Sequence, residues 1–154
     1  MKNRIRVAVL LFKNEKILMI KHIDPKTKFE WWVPPGGGLE GKETVFDCAT
    51  REVFEESGLN VDVQKLVYIR QFISFETAQN NIELFFTGKI VSGKETLANL
   101  KGLSDECFVK ELRYFSQKEL QKLTLFPEEL KNQFWKDKKA GFPSVKFLGV
   151  QADN

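Results

Sequence analysis

Between Thr44 and Gly58 the side chains mark out the start, the stop and one charged face of a single helix. Thr44 is a good N-cap, and Asp47 stands three residues on as an acidic version of the capping box. Gly58 suits the left-handed residue just past a helix end. About 13 residues lie between them, a common helix length. Val45, Ala49 and Val53 fall at i, i+4 and i+8 and give the helix an apolar stripe. Glu52, Glu55 and Glu56 fall at i, i+3 and i+4, so their carboxylates converge on one face. Like charges at that spacing repel by roughly a few tenths of a kcal/mol per pair. Arg51, four residues before Glu55, is the one near counter-charge. A hard divalent cation such as Mg²⁺ takes oxygen ligands, is commonly shared with substrate phosphates, and would offset the repulsion. Taken alone, the same residues also suit a solvated acidic face.

The helix is embedded in strand-forming sequence. Ile5–Phe12 and Lys16–His22 read as strands around a turn, and Val61–Glu76 and Asn81–Val91 as two more. Cys107–Ser116 alternates as a strand leading into a short helix, Ser116–Leu123, and Pro127 opens a last amphipathic helix up to Gly141. A tail follows, about 141–154, with apolar residues at Phe142, Val145, Phe147 and Leu148. The order of elements is that of an α+β domain. Before the central helix, Trp31 to Gly38 cannot stay regular for long: Pro34 and Pro35 remove backbone donors, and Gly36, Gly37 and Gly38 open backbone angles closed to other residues. Those glycines also allow a close backbone approach to a ligand, and a carbonyl there would complete a metal shell. Glu43, at the helix start, complements the N-terminal dipole.

With 154 residues the chain makes one domain, 1–154. A net charge of +3, without a long basic run, argues against nucleic acid as the partner. No stretch approaches the ~20 apolar residues of a membrane span. The first apolar run holds Arg6 and lacks a small-residue cleavage site, so it reads as a strand and not as a leader. Cys48 and Cys107 are far apart, fit no metal-ligand spacing, and read as reduced core thiols of a cytoplasmic protein.

The run from Gly37 through Glu43, Arg51-Glu52-Val53, Glu55-Glu56 and Gly58-Leu59 resembles the Nudix box of the MutT-like hydrolases. It fills every fixed position of that pattern over 23 residues, about a seventh of the chain. Many members carry a glycine immediately before the box's first glutamate, where this chain has Lys42. The resemblance implies an α/β/α sandwich around a central mixed sheet, with the box as loop, helix and loop. It implies hydrolysis of a nucleoside diphosphate linked to a group X, such as a nucleoside triphosphate, ADP-ribose, a dinucleoside polyphosphate or a nucleotide sugar. It assigns Mg²⁺, with Mn²⁺ as a substitute, to Glu52, Glu55, Glu56 and the Gly37 carbonyl, and gives Arg51 the task of orienting the glutamates. For the general base it offers a box glutamate or an acid on a later loop: Glu106 first, with Asp105 and Glu111 as rivals.

Substrate contacts are expected from Lys21, from the backbone of Gly36, Gly37 and Gly38, and from Trp31 and Trp32, whose faces suit a base. His22, the sole histidine, reads as an ordinary surface residue. Two other functions share this box: a catalytically silent nucleotide sensor and a pyrophosphohydrolase of RNA 5′ ends. Dimers are frequent in the family, and the apolar tail offers a surface for a homodimer.

Overall fold

The computed structural model describes residues 1–153. Strands β1 (Lys2–Leu10), β2 (Phe12–Lys13), β3 (Lys16–Ile23), β4 (Glu30–Val33) and β5 (Gly36–Gly38) precede helix α1 (Val45–Ser57). A long hairpin follows, β6 (Leu59–Ser74) and β7 (Gln79–Gly93), then β8 (Val109–Phe115). Helices α2 (Gln117–Leu120) and α3 (Gln133–Lys139) lead to β9 (Lys146–Ala152).

Two sheets result. The larger is mixed, in the order β5-β1-β7-β6-β9, with β1 parallel to β7 and β9 parallel to β6. In the smaller, antiparallel sheet β3 is central, with β8 along one edge and β2 and β4 along the other. Alternation along β1 divides the core. Val7 and Val9 face α1 and meet Cys48, Ala49 and Val53, while Leu10 faces the small sheet and meets Ile17, Met19 and Trp32, with Tyr68, Leu130 and Phe134 closing that layer. The apolar stripe of α1 is thus its core contact. Both halves of its capping box form: the Asp47 amide donates to Thr44 Oγ1 at 3.1 Å and the Thr44 amide to Asp47 Oδ2 at 3.0 Å. Gly58 takes the left-handed conformation, φ 75°, and its amide donates to the Phe54 carbonyl at 2.9 Å.

Four expectations change. The glycine run is regular structure: β5 pairs with β1, Gly36 opposite Ala8 and Gly38 opposite Arg6. The segment opened by Pro127 is not one helix, because a 3₁₀ turn at Glu128–Lys131 ends at Asn132 (φ −136°, ψ −61°) before α3 begins. The tail is a strand on the body of the domain, with Leu148 against the core and Phe147 left 59% exposed. Cys48 is buried as expected, whereas Cys107 is exposed on the loop before β8. Among the described residues no helix is long and apolar enough to cross a membrane.

Candidate active site

The edge strand β5 holds the acids of α1 in place. Along an antiparallel strand, the N–H and C=O of one residue point the same way, and successive residues alternate. The Gly36 amide therefore leaves the sheet and donates to Glu56 Oε1 at 2.7 Å. The Gly38 carbonyl likewise points outward and accepts from Arg51 at 3.1 Å. Gly37, between them, turns its Cα hydrogen toward α1: a Cβ there would lie 2.3 Å from the Glu52 carboxyl. Only glycine lets the strand pass so close.

Glu52 and Glu56 are both buried, at 5% and 1% exposure. Burial raises the Glu52 carboxyl above its ordinary range, against the pull of Arg51. Burial pushes the Glu56 carboxyl well above it, and the negative charge of Glu52 adds to the push. Glu56 Oε2 is buried without a hydrogen-bond partner. His22 Nε2 stands 4.0 Å from that oxygen, but burial lowers the His22 pKa and leaves the ring neutral near pH 7. The approach of His22 Nδ1 to the Ile20 carbonyl, 3.4 Å, needs the ring proton on Nδ1. Nε2 then has no proton to offer, and Glu56 Oε2 stays unsatisfied.

Arg51 works as a fork. It donates to both oxygens of Glu43 at 2.8 and 3.0 Å, to Glu52 at 2.9 Å and to Glu55 at 3.2 Å. Glu55 is only partly buried and shares with Glu52 the same Arg51 nitrogen, Nη1. Among the described residues no three acid, histidine or cysteine side chains form a ready-made metal cage. What stands ready is a smaller donor set: Glu52, the orphaned oxygen of Glu56, and the outward-facing Gly36 carbonyl. Two buried carboxylates on one helix face, one of them with an unsatisfied oxygen, fit a hard divalent ion that takes its remaining ligands from water and substrate. The Gly37 carbonyl does not fit, since the alternation that turns Gly36 and Gly38 outward turns it inward, toward Val7 of β1, with the Cys48 thiol 3.8 Å away.

A family model described as the NUDIX domain matches residues 2–134. The chain belongs to the NUDIX family. It is 40% identical over 62 residues, 39% of its own length, to the m7GpppN-mRNA hydrolase NUDT17 of Danio rerio. It is 34% identical over 62 residues, 40% of its length, to diphosphoinositol polyphosphate phosphohydrolase 3-beta of Bos taurus. These stretches span 21% and 38% of the two relatives. In fold it is similar to a NUDIX hydrolase from Nitrosomonas europaea, with a TM-score of 0.71, 23% identity, and 92% of this chain and 91% of that one covered.

Outside the Nudix box the expected residues separate. Glu106 is exposed and accepts from the Gly102 amide at 2.9 Å inside its own loop, turned from the acids. Its neighbour Asp105 is the loop acid whose charge acts on Glu52, Glu56 and His22. Glu111 is ion-paired with Arg113. Trp32 is core, edge-on to Phe115 at 4.8 Å, and offers no face to a ligand. Trp31 is half-buried at the site, stacked between His22 at 5.3 Å and Phe29 at 5.6 Å. Lys21 turns to Glu30 at 3.4 Å. His22 faces the site and is not a surface residue. A wider cleft of about 460 Å³, lined by Phe12, Lys13, Gln64, Lys89 and Glu95 among others, contains none of these groups; the chemistry, and not the hollow volume, places the site. Sequence reading also passed over Arg4 and Arg6. Their spacing of two on a strand, which puts both on one face, was the available signal.

Proposed function

We propose that this chain is a metal-dependent Nudix hydrolase that cleaves the pyrophosphate bond of a nucleoside diphosphate linked to a group X. The observation that carries this reading is the pair of buried carboxylates, Glu52 and Glu56, with one Glu56 oxygen fixed by the Gly36 amide and the other left without a partner. Glu52, Glu56 and the Gly36 carbonyl would hold Mg²⁺ or Mn²⁺, with Glu55 in reach once released from Arg51. Such an ion supplies neutralisation of charge on phosphoryl oxygens and a bound water of lowered pKa.

The chain's own residues do the rest. The Gly36 amide fixes the Glu56 carboxylate, so that its free oxygen needs no reorganisation when substrate arrives. Arg51 locks the rotamers of Glu52 and Glu55 through a planar fork that a lysine cannot reproduce. Asp105, whose charge reaches Glu52 and Glu56, would be the acid that accepts a proton. The His22–Trp31–Phe29 stack would offer the substrate the edge of Trp31 and the exposed ring of Phe29. The two relatives, named as an mRNA hydrolase and a polyphosphate phosphohydrolase, support hydrolysis of a phosphorylated compound.

The test is a substrate panel with Mg²⁺: nucleoside triphosphates, 8-oxo-dGTP, ADP-ribose, diadenosine polyphosphates and nucleotide sugars, with Glu56→Gln as control. Turnover of at least one, lost in the variant, supports the reading. Folded protein that turns over none of them, in Mg²⁺ or Mn²⁺, overturns it.

A further inference from the structure

Arg4 and Arg6 stand on the face of β1 opposite α1, beside the strand that holds the acids. Arg4 lies directly against Gly38: a Cβ at that glycine would come within 2.6 Å of its guanidinium. Among the described residues Arg4 makes no side-chain hydrogen bond and no ion pair, although it is only half exposed. Arg6 has one carboxylate near it, Glu83, at 3.9 Å. That carboxylate is already engaged by the buried Arg70, at 2.8 and 2.5 Å. Arg6 also lines a small cavity with Pro34, Gly36, Arg70 and Phe126, so it opens onto the strand whose amide holds Glu56.

Two like charges side by side, partly withdrawn from water and without hydrogen-bonded acceptors, are unfavourable unless an anion joins them. Burial, and then the neighbouring Arg6, depress the Arg4 pKa, and the charges of Asp105 and Glu52 only partly oppose the fall. Arginine is also the side chain whose fork matches phosphate oxygens.

From this we infer that Arg4 and Arg6 form an anion subsite for a phosphate that lies beyond the scissile diphosphate. The inference rests on the hydrolase reading above and narrows it. The acids reach their site from the α1 side of β5, and the arginines lie on the other. One diphosphate bound at Glu52 and Glu56 leaves Arg4 without a hydrogen-bonded acceptor and Arg6 with only its distant share of Glu83, while a longer phosphate run passes Gly36–Gly38 and meets both groups. The preferred substrates then carry three or more phosphates in series. ADP-ribose and nucleotide sugars, whose X group is uncharged, are disfavoured.

The subsite is tested by calorimetric titration with inorganic tripolyphosphate in Mg²⁺, on the unaltered protein and on R4A/R6A, R4K/R6K and the milder R4Q. Thermal melts establish that each variant is folded. The expected result is binding weakened about 10-fold or more in R4A/R6A and partly recovered in R4K/R6K. In parallel, kcat/KM of R4A/R6A should fall much further on a nucleoside triphosphate than on ADP-ribose, mainly through KM. Tripolyphosphate binding indifferent to all three variants, or equal losses on both substrates, overturns the subsite. Absent turnover together with arginine-dependent tripolyphosphate binding sinks the hydrolase reading and leaves the subsite standing.

Discussion

Glu56 Oε1 accepts a 2.7 Å hydrogen bond from the Gly36 amide, while Oε2 of the same carboxylate is buried without a partner. A side chain fixed at one oxygen and vacant at the other has its geometry set before any ligand arrives. The cost is a buried carboxylate that the Gly36 amide and the charge of Arg6 offset only in part.

Glu56→Gln removes that charge and keeps the shape. Disturbing the partners of a metal site costs about 10–100-fold, and removing a direct donor costs more. We expect activity to fall at least ~100-fold. The melting temperature without metal should hold or rise, because the desolvated carboxylate is gone. Steady-state kinetics and calorimetric melts on one preparation check both halves, and near-normal turnover would refute the role given to Glu56.

Alanine at Gly36 and at Gly37 should fail in different ways. At Gly36 the new Cβ lies 2.2 Å from the Val7 carbonyl oxygen, which is backbone and cannot move aside. Stability should drop by about 1–3 kcal/mol. At Gly37 the clash is with the Glu52 carboxyl, the far end of a flexible side chain. There the fold should survive and activity should not. Urea denaturation set beside kcat separates the two.

Arg51 holds the Glu43 carboxyl down at about 2, chiefly through its hydrogen bonds. A depressed acid stabilises the fold at any pH above its ordinary value of 4.5 and loses that contribution as pH falls toward 2. Arg51→Ala should therefore destabilise the protein near neutrality, by an amount that shrinks on acidification through this window. Melting curves of both proteins from pH 6 to about 2 should converge. A constant gap would count against the pairing.

Asp137 anchors the last strand. It is buried and accepts from Tyr68 Oη at 2.5 Å, from Lys146 Nζ at 2.5 Å and from Gln133 Nε2 at 3.0 Å. Asp137→Ala strands the buried Tyr68 hydroxyl and should cost about 1–3 kcal/mol. Hydrogen exchange should speed up first in β9. Chemical denaturation gives the size of the loss and exchange its location.

The box helix was legible because its information is local. Thr44, Asp47 and Gly58 act within a turn of the helix, and the spacing of Glu52 and Glu56 is itself geometry. The tail was not legible as β9, since its partner β6 lies more than 70 residues away and the Leu148 contact exists only after the sheet forms. Glu106 and Asp105 are adjacent in sequence, and their surroundings part only in the folded loop, where the Gly102 amide donates to Glu106. Trp31 and Trp32 were equivalent until strand alternation sent Trp32 into the core. His22 looked ordinary because nothing near it in sequence announces Glu56.

Three successive glycines in β5 each answer to a different neighbour: the Val7 carbonyl, the Glu52 carboxyl and the Arg4 guanidinium. The segment is therefore constrained at each position for a different reason: by backbone at Gly36, and by a functional side chain at Gly37 and at Gly38. A single base change at any of its three codons that installs a side chain meets a separate obstacle, and no one compensating replacement elsewhere relieves all of them. A lineage that changes this chain's substrate would do so around β5, in the arginines, the loop at Asp105 or the stack at Trp31; a change at Arg4 frees Gly38 alone and leaves Gly36 and Gly37 as they stand.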